Sequence, residues 1–241
     1  MLSKTELKYI QTLCHKKQRE KEGLFIVEGP KLVEELFSGE FRIKKLYAVS
    51  EWMQNRDLPF EAETITDIEL ARISGLQTPN QVLAIVEQNQ NKTEPNYKSQ
   101  LTLVLDDIQD PGNLGTIIRI ADWFGIKQIV ASENTVEMYN PKVIQSTMGS
   151  FIRVAFWYKN LTNFLQSASV PVYGASLQGK SIIGELTIHE GILVIGNEAK
   201  GISKDVLPYI SYPITIPRLG GAESLNAAVA TGIILSHLKK F

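Results

Sequence analysis

Two short runs in this chain have no polar face: Leu101-Thr-Leu-Val-Leu105 and Ile192-Leu-Val-Ile195. A strand that is apolar on both sides must be covered on both sides, which is the situation of a parallel sheet between two helical layers. The chain from 101 onward repeats the alternation. Strands are expected at 101–105, 128–131, 152–157, 171–175, 191–195 and 212–216, and helices at about 113–124, 140–147, 160–168, 203–210 and 225–239. This order predicts an α/β fold with a doubly wound, mostly parallel sheet. Ligand sites in such sheets gather at the carboxyl ends of the strands.

The first part of the chain reads as a smaller α/β module. Leu7, Ile10, Gln11 and Leu13-Cys14 mark an amphipathic helix, and Leu24-Phe-Ile-Val27 a strand. Gly29-Pro30 opens a second helix with Leu32, Val33, Leu36 and Phe37 on one face. A strand over Lys45–Val49, a helix over Ile68–Ile73 and a strand over Val82–Val86 complete it. The segment Glu87–Gln100 holds one aromatic and no aliphatic residue, so it cannot bury itself in a core. The expected organisation is a domain over 1–90, a linker over 91–100 and a second domain over 101–241.

Hydrophobic residues make up 44% and charged residues 21% of the 241 positions, a globular balance rather than a disordered one. No apolar run is long enough to span a bilayer, and the amino terminus lacks an apolar signal core. The single cysteine, Cys14, allows no intrachain disulfide. These features point to the cytoplasm and to no membrane partner. The net charge of −1 argues against a general nucleic-acid coat. Locally, residues 1–22 carry six cations against three carboxylates, with Lys16-Lys17-Gln18-Arg19 at a helix end. Such a cluster either engages phosphates or complements a helix dipole.

Three polar or Gly-rich segments follow expected strands. In the first, Asn113-Leu-Gly-Thr-Ile-Ile-Arg119, the residues Leu114, Ile117, Ile118 and Ala121 share one helical face. Arg119 lies off that face and can project toward a groove or pair with a surface carboxylate. Asn113 sits where a cap belongs. In the second, Gly196-Asn-Glu198-Ala-Lys-Gly201, the glycines permit a tight turn and a close backbone approach around Glu198. The third runs from Ile216-Pro217 through Gly220-Gly221 to Ser224-Leu225-Asn226, with Ser224 placed to cap a helix rich in small residues. The chain has no G-x-G-x-x-G or Walker loop and no G-x-S-x-G elbow. His15, His189 and His237 have no metal-ligand spacing.

In order and spacing these three segments resemble the motifs of the SpoU (TrmH-like) ribose 2′-O-methyltransferases of the SPOUT superfamily. Gly23-Leu-Phe-Ile-Val-Glu28-Gly29 and the helix after it resemble the family's substrate-binding domain, which is built like a small ribosomal RNA-binding protein. The resemblance implies S-adenosylmethionine as methyl donor, no metal, and a ribose 2′-hydroxyl of RNA as acceptor. It also implies a trefoil knot in the second domain and a homodimer. Carried onto this chain, cofactor contacts fall at Ala175, Gly196, Ile216 and Leu225. Arg119 acts on the hydroxyl, with Asn113, Glu198, Ser224 and Asn226 holding it and the ribose in place. A guanidinium keeps its proton at any ordinary pH, so the role expected for Arg119 is to grip the adjacent phosphate and stabilise alkoxide charge. Lys16, Lys17, Arg19 and Glu28 are the expected RNA contacts of the first domain. The 2′-hydroxyl distinguishes RNA from DNA, so no DNA partner is expected. The two-domain plan favours ribosomal RNA of the large subunit. A transfer-RNA ribose methyltransferase, a non-catalytic RNA-binding protein on the same fold, a base-modifying relative and a small-metabolite enzyme are the alternatives.

Overall fold

A computed structural model describes residues 2–54, 56, 58, 62–89, 93–184 and 188–238. The first part of the chain forms α1 (Lys4–Thr12), α2 (Lys16–Glu22), β1 (Leu24–Glu28), α3 (Pro30–Leu36), β2 (Ile43–Ala48), α4 (Ser50–Met53), β3 (Ala62–Thr64), α5 (Asp67–Ile73) and β4 (Val82–Glu87). The rest forms β5 (Leu101–Leu105), α6 (Pro111–Trp123), β6 (Gln128–Ser132), α7 (Pro141–Thr147), β7 (Ala155–Lys159), α8 (Leu161–Gln166), β8 (Val172–Ser181), β9 (Gly191–Ile195), β10 (Tyr212–Thr215) and α9 (Ala227–Leu238). The chain divides into two compact units.

The first unit comprises Met1–Gln90 together with Glu137–Ile152. Its sheet has the order β1-β4-β2-β3, with β4 antiparallel to both neighbours and β2 parallel to β3. Four of the five residues of β1 are apolar and all five are buried, so the strand is covered on both faces. The segment Glu137–Ile152 lies between two strands of the other unit in sequence, yet α7 packs on β1. The ring of Phe25 meets those of Tyr139 at 4.5 Å and Phe151 at 5.9 Å. Arg19 forms a two-point ion pair with the Glu137 carboxylate and donates to the Leu13 carbonyl at 2.9 Å. Thr66 and Glu69 make a reciprocal capping box on α5.

The second unit comprises Asn91–Val136 and Arg153–Phe241. Its six strands are all parallel, in the order β10-β8-β9-β5-β6-β7. The buried runs of β5 and β9 pair at the centre, Leu101 to Gly191 through Leu105 to Ile195. Val104, Val172, Ile192 and Val194 share a core with Leu161 and Leu165 of α8. Alternation turns Leu103 and Leu193 to the opposite face. The order reverses between β5, whose chain continues to β6, and β9, which arrives from β8. A crevice at that break is where a doubly wound sheet accepts a ligand.

Several elements differ in extent from their sequence expectation. The strand expected at 152–157 starts three residues later, because Ser150–Ile152 forms a 3₁₀ turn. Residues 203–210 hold only a 3₁₀ turn at Leu207–Tyr209 instead of a helix, since Pro208 lacks the N–H that a helix interior needs. Strand β8 continues to Ser181 through an irregular stretch: Gly174 pairs with Pro213, and the next pair is Lys180 with Ile214. Residues 93–100 form no helix or strand but are tied to the second unit. Trp157 donates to the Thr93 carbonyl at 2.8 Å, and Tyr97 donates to the Ser167 carbonyl at 2.9 Å.

Candidate active site

The site begins where β5 ends. The ladder runs one residue past the strand, with the Asp106 N–H donating to the Ile195 carbonyl at 2.9 Å. Asp107 adopts the left-handed conformation, φ 59°, and its N–H donates to Ser132 Oγ at 2.9 Å. Asp110 then caps α6, accepting from the Asn113 N–H at 2.8 Å, and Pro111 takes the first helical position. Asn113, expected as the cap, therefore sits one turn inside the helix with its side chain released from that task. Leu114, Ile117, Ile118 and Ala121 are buried as their spacing predicts.

The loop after β9 folds on itself. A side chain at Gly196 would lie 2.3 Å from the Gly201 carbonyl carbon, so only glycine allows the two backbones to meet. Asn197 and Gly201 exchange backbone hydrogen bonds at 3.0 and 2.8 Å. Asn197 Oδ1 accepts from the Ala199 and Lys200 N–H groups, which turns the tip and presents Glu198. The Glu198 carboxylate accepts from Asn113 Nδ2 at 2.6 Å.

The third segment arrives at the same point. Residues 217–226 are exposed throughout and form no helix or strand, and α9 starts at Ala227. Its cap is Asn226 rather than Ser224: Asn226 Oδ1 accepts from the Ala228 and Val229 N–H groups at 2.9 and 3.2 Å. That leaves Asn226 Nδ2 to donate to Asn113 Oδ1, at 2.8 Å. The polarity is forced along the chain. The helix end fixes the Asn226 amide, which fixes the Asn113 amide, which aims its N–H at the carboxylate. One hydrogen-bonded relay thus unites all three segments.

Two of the expected catalytic residues stand outside the relay. Ser224 makes no hydrogen bond to the described residues. Arg119 is exposed on α6 and has neither an ion pair nor a hydrogen bond among the described residues. It follows Asn113 by six positions, which places it about 9 Å along the helix and about 120° around it. Of the expected cofactor contacts, Gly196 and Ile216 directly follow β9 and β10, Ala175 begins the irregular stretch of β8, and Leu225 is 45% exposed beside Asn226. Asp106, Asp107 and Asn197 also belong to the site. Their signal in the sequence was position alone, at the ends of the two most apolar strands.

Among the expected RNA contacts, Lys16 and Lys17 are exposed at the start of α2. Arg19 is 1% exposed and engaged by Glu137 and Leu13, so its guanidinium is turned into the unit and not toward solvent. Glu28 is likewise buried. Its carboxylate accepts from Ser74 Oγ and, at 3.0 Å, from the Gly75 N–H. Burial pushes this carboxyl above the ordinary carboxylate range, against the pull of the two hydrogen bonds.

Comparison with known proteins fits this geometry. The family model of the SpoU rRNA methylases matches residues 100–236, and that of the MRM3-like substrate-binding domain matches residues 4–84. The 23S rRNA (guanosine(2553)-2′-O)-methyltransferase RlmP of Bacillus subtilis is 32% identical over 230 residues, covering 93% of this chain and 92% of its own length. A solved TrmH-family protein from Porphyromonas gingivalis superposes with a TM-score of 0.87 at 36% identity, over 98% of both chains. An AdoMet-bound rRNA methyltransferase from Sinorhizobium meliloti superposes with a TM-score of 0.83 at 29% identity, over 98% of this chain and 95% of that one.

Proposed function

This chain belongs to the SpoU rRNA methylase family, and on that premise we propose that it moves the methyl group of S-adenosylmethionine onto a ribose 2′-hydroxyl of large-subunit ribosomal RNA. The observation that carries this reading is the relay Asn226–Asn113–Glu198, which gathers three distant segments at the sheet's topological break. A protein that only bound RNA would not need a polarised amide–carboxylate chain there. The names of the full-length relatives support the acceptor, and the AdoMet-bound relative supports the donor.

The residues present fit such a donor. The loops after β9 and β10 begin at the partly buried Gly196 and Ile216, whose backbone polar groups suit a cofactor, and the half-exposed Leu225 offers an apolar surface for a flat ring. S-adenosylmethionine supplies an activated methyl on a sulfonium, so the protein's task is orientation and charge. Arg119 grips the phosphate next to the target ribose and stabilises negative charge growing on the 2′-oxygen. Glu198, held by Asn113, and Asn226, held by α9, position the sugar, with Ser224 beside them. Lys16 and Lys17 meet phosphates on the first unit, whose role is to select the RNA. The close backbone approaches at Gly196–Gly201 and Gly179–Pro213 support the knotted path of the family.

A homodimer in the cytoplasm, with no DNA or membrane partner, completes the proposal. Its support is helix α9, which carries no Asp, Glu, Lys or Arg and packs beside α6, with Val229 50% and Trp123 81% exposed. Arg119 lies on α6 away from the relay, as a group meant for a second surface would. The test is Arg119→Ala. Transfer of labelled methyl to ribosomal RNA should slow about 10²–10³-fold while calorimetric binding of the donor stays near wild type. Unchanged turnover eliminates the role of Arg119, and no donor uptake by the folded wild-type protein eliminates the function.

A further inference from the structure

The Glu198 carboxylate sits at a loop tip, yet it meets an amide 85 positions away at 2.6 Å. Side chains that work in catalysis must be held within about 0.5 Å. The relay alone cannot do this, because it fixes Asn113 and not the loop that carries Glu198. Two further contacts bracket that loop. At its entry, Asn197 Nδ2 donates to the Asp107 carbonyl at 2.8 Å. At its exit, the Ser203 N–H donates to Asp106 Oδ2 at 2.7 Å. Both acceptors belong to the turn that leads from β5 into α6.

We propose that Asp106 and Asn197 are positioning residues that lock the Glu198 loop onto the β5–α6 turn, and so set the register between Glu198 and Asn113. This rests on the methyltransfer reading above. The turn is itself rigid. The Asp106 N–H is in the sheet ladder, and Asp107, in the left-handed conformation that aspartate tolerates better than most residues, is held by Ser132. Asn197 does two things at once, since its other amide atom closes the tip through Ala199 and Lys200. Asp106 is 5% exposed, and a buried carboxylate is costly unless it is bonded. Its bond to the Ser203 N–H is charge-assisted, stronger than a neutral pair at the same place. Asp106 and Asn197 thus act on the reaction through Glu198, without touching a substrate.

The experiment uses the intact chain carrying Asp106→Ala, Asp106→Asn, Asn197→Ala, Glu198→Ala and the pair Asp106→Ala/Glu198→Ala. Turnover and KM for ribosomal RNA are measured alongside amide exchange at Ser203. Loss of a charge-assisted bond predicts about tenfold faster exchange at Ser203 and about tenfold lower kcat in Asp106→Ala, with KM for RNA within about twofold of wild type. Asp106→Asn keeps an acceptor oxygen and recovers kcat to within about threefold. Asp106→Ala adds less than about twofold to Glu198→Ala, because the two act in series. Should Asp106→Ala not fold, Asn197→Ala carries the same cycle with Glu198→Ala. Additive losses in the double variant, or wild-type kcat with Ser203 unprotected, overturn the proposal. An inactive wild type sinks the methyltransfer reading instead, and that outcome is separate from additivity in an active enzyme.

Discussion

Arg19 and Arg119 mark two regions that use one side chain in opposite ways. In the first unit Arg19 is buried, its guanidinium taken up by Glu137 and the Leu13 carbonyl. In the second unit Arg119 stands exposed on α6 with no partner among the described residues. The same contrast separates the carboxylates. Glu28 is sealed against Ser74 and Gly75, whereas Glu198 is offered at a loop tip. A buried polar group is taken up by its partners inside the fold, while an exposed one beside a polar relay is available to a ligand. The difference lies in the partner that folding supplies, and a partner 118 positions away is invisible to local sequence.

The largest effect should come from Arg19→Met, which leaves the Glu137 carboxylate without its partner. Breaking a buried pair costs about 3–5 kcal/mol, so the urea midpoint should fall well below that of wild type. Arg19→Met/Glu137→Leu should recover most of the loss, because the stranded charge is gone. Arg119→Ala should change the unfolding free energy by no more than about 0.5 kcal/mol and leave the midpoint near that of wild type. If the two arginine variants unfold together, the contrast between the regions fails.

A smaller effect is expected from Asn113→Ala, which cuts the relay while leaving the Asp110 cap in place. Turnover should drop about 10–100-fold through misplacement of Glu198, with stability within about 1 kcal/mol of wild type. A stability loss equal to that of Arg19→Met, with kcat intact, would turn the relay into scaffold.

The smallest effect concerns Glu28. Its folded-state pKa lies above the unfolded value because burial disfavours the charge. A group shifted upward contributes stability that is fully present below the unfolded pKa, near about 4.3, and is lost as pH rises through the folded pKa. Glu28→Gln cannot ionise and escapes that loss. The difference in melting temperature, variant minus wild type, should therefore increase as pH rises from about 4 and then level off. A difference that declines with pH contradicts the burial of this carboxyl.

Much of the frame is legible in the sequence itself. The apolar runs of β5 and β9 announced a covered parallel sheet, and the spacing of Leu114, Ile117, Ile118 and Ala121 announced the buried face of α6. Both signals depend only on near neighbours. The caps were misplaced by two or three residues for a local reason. Asp110-Pro111 outcompetes Asn113 because proline favours the first helical turn, and Asn226 outcompetes Ser224 because α9 begins at Ala227. The helix expected at 203–210 gave way to a turn, where Asp106 takes the Ser203 N–H and Pro208 has none to give.

Residue order alone therefore determined the strand–helix alternation and marked the three polar segments that follow β5, β9 and β10, but not the transfer of Glu137–Ile152 to the first unit. Only the tertiary structure decided that Asn226 would reach Asn113 across 113 positions and Asn113 would reach Glu198 across 85, while Arg19 turned inward. Periodicity reports which face of an element seeks cover, a property of neighbouring residues. Which polar atom meets which depends on how strands far apart in the chain come into register, and no local pattern encodes that distance.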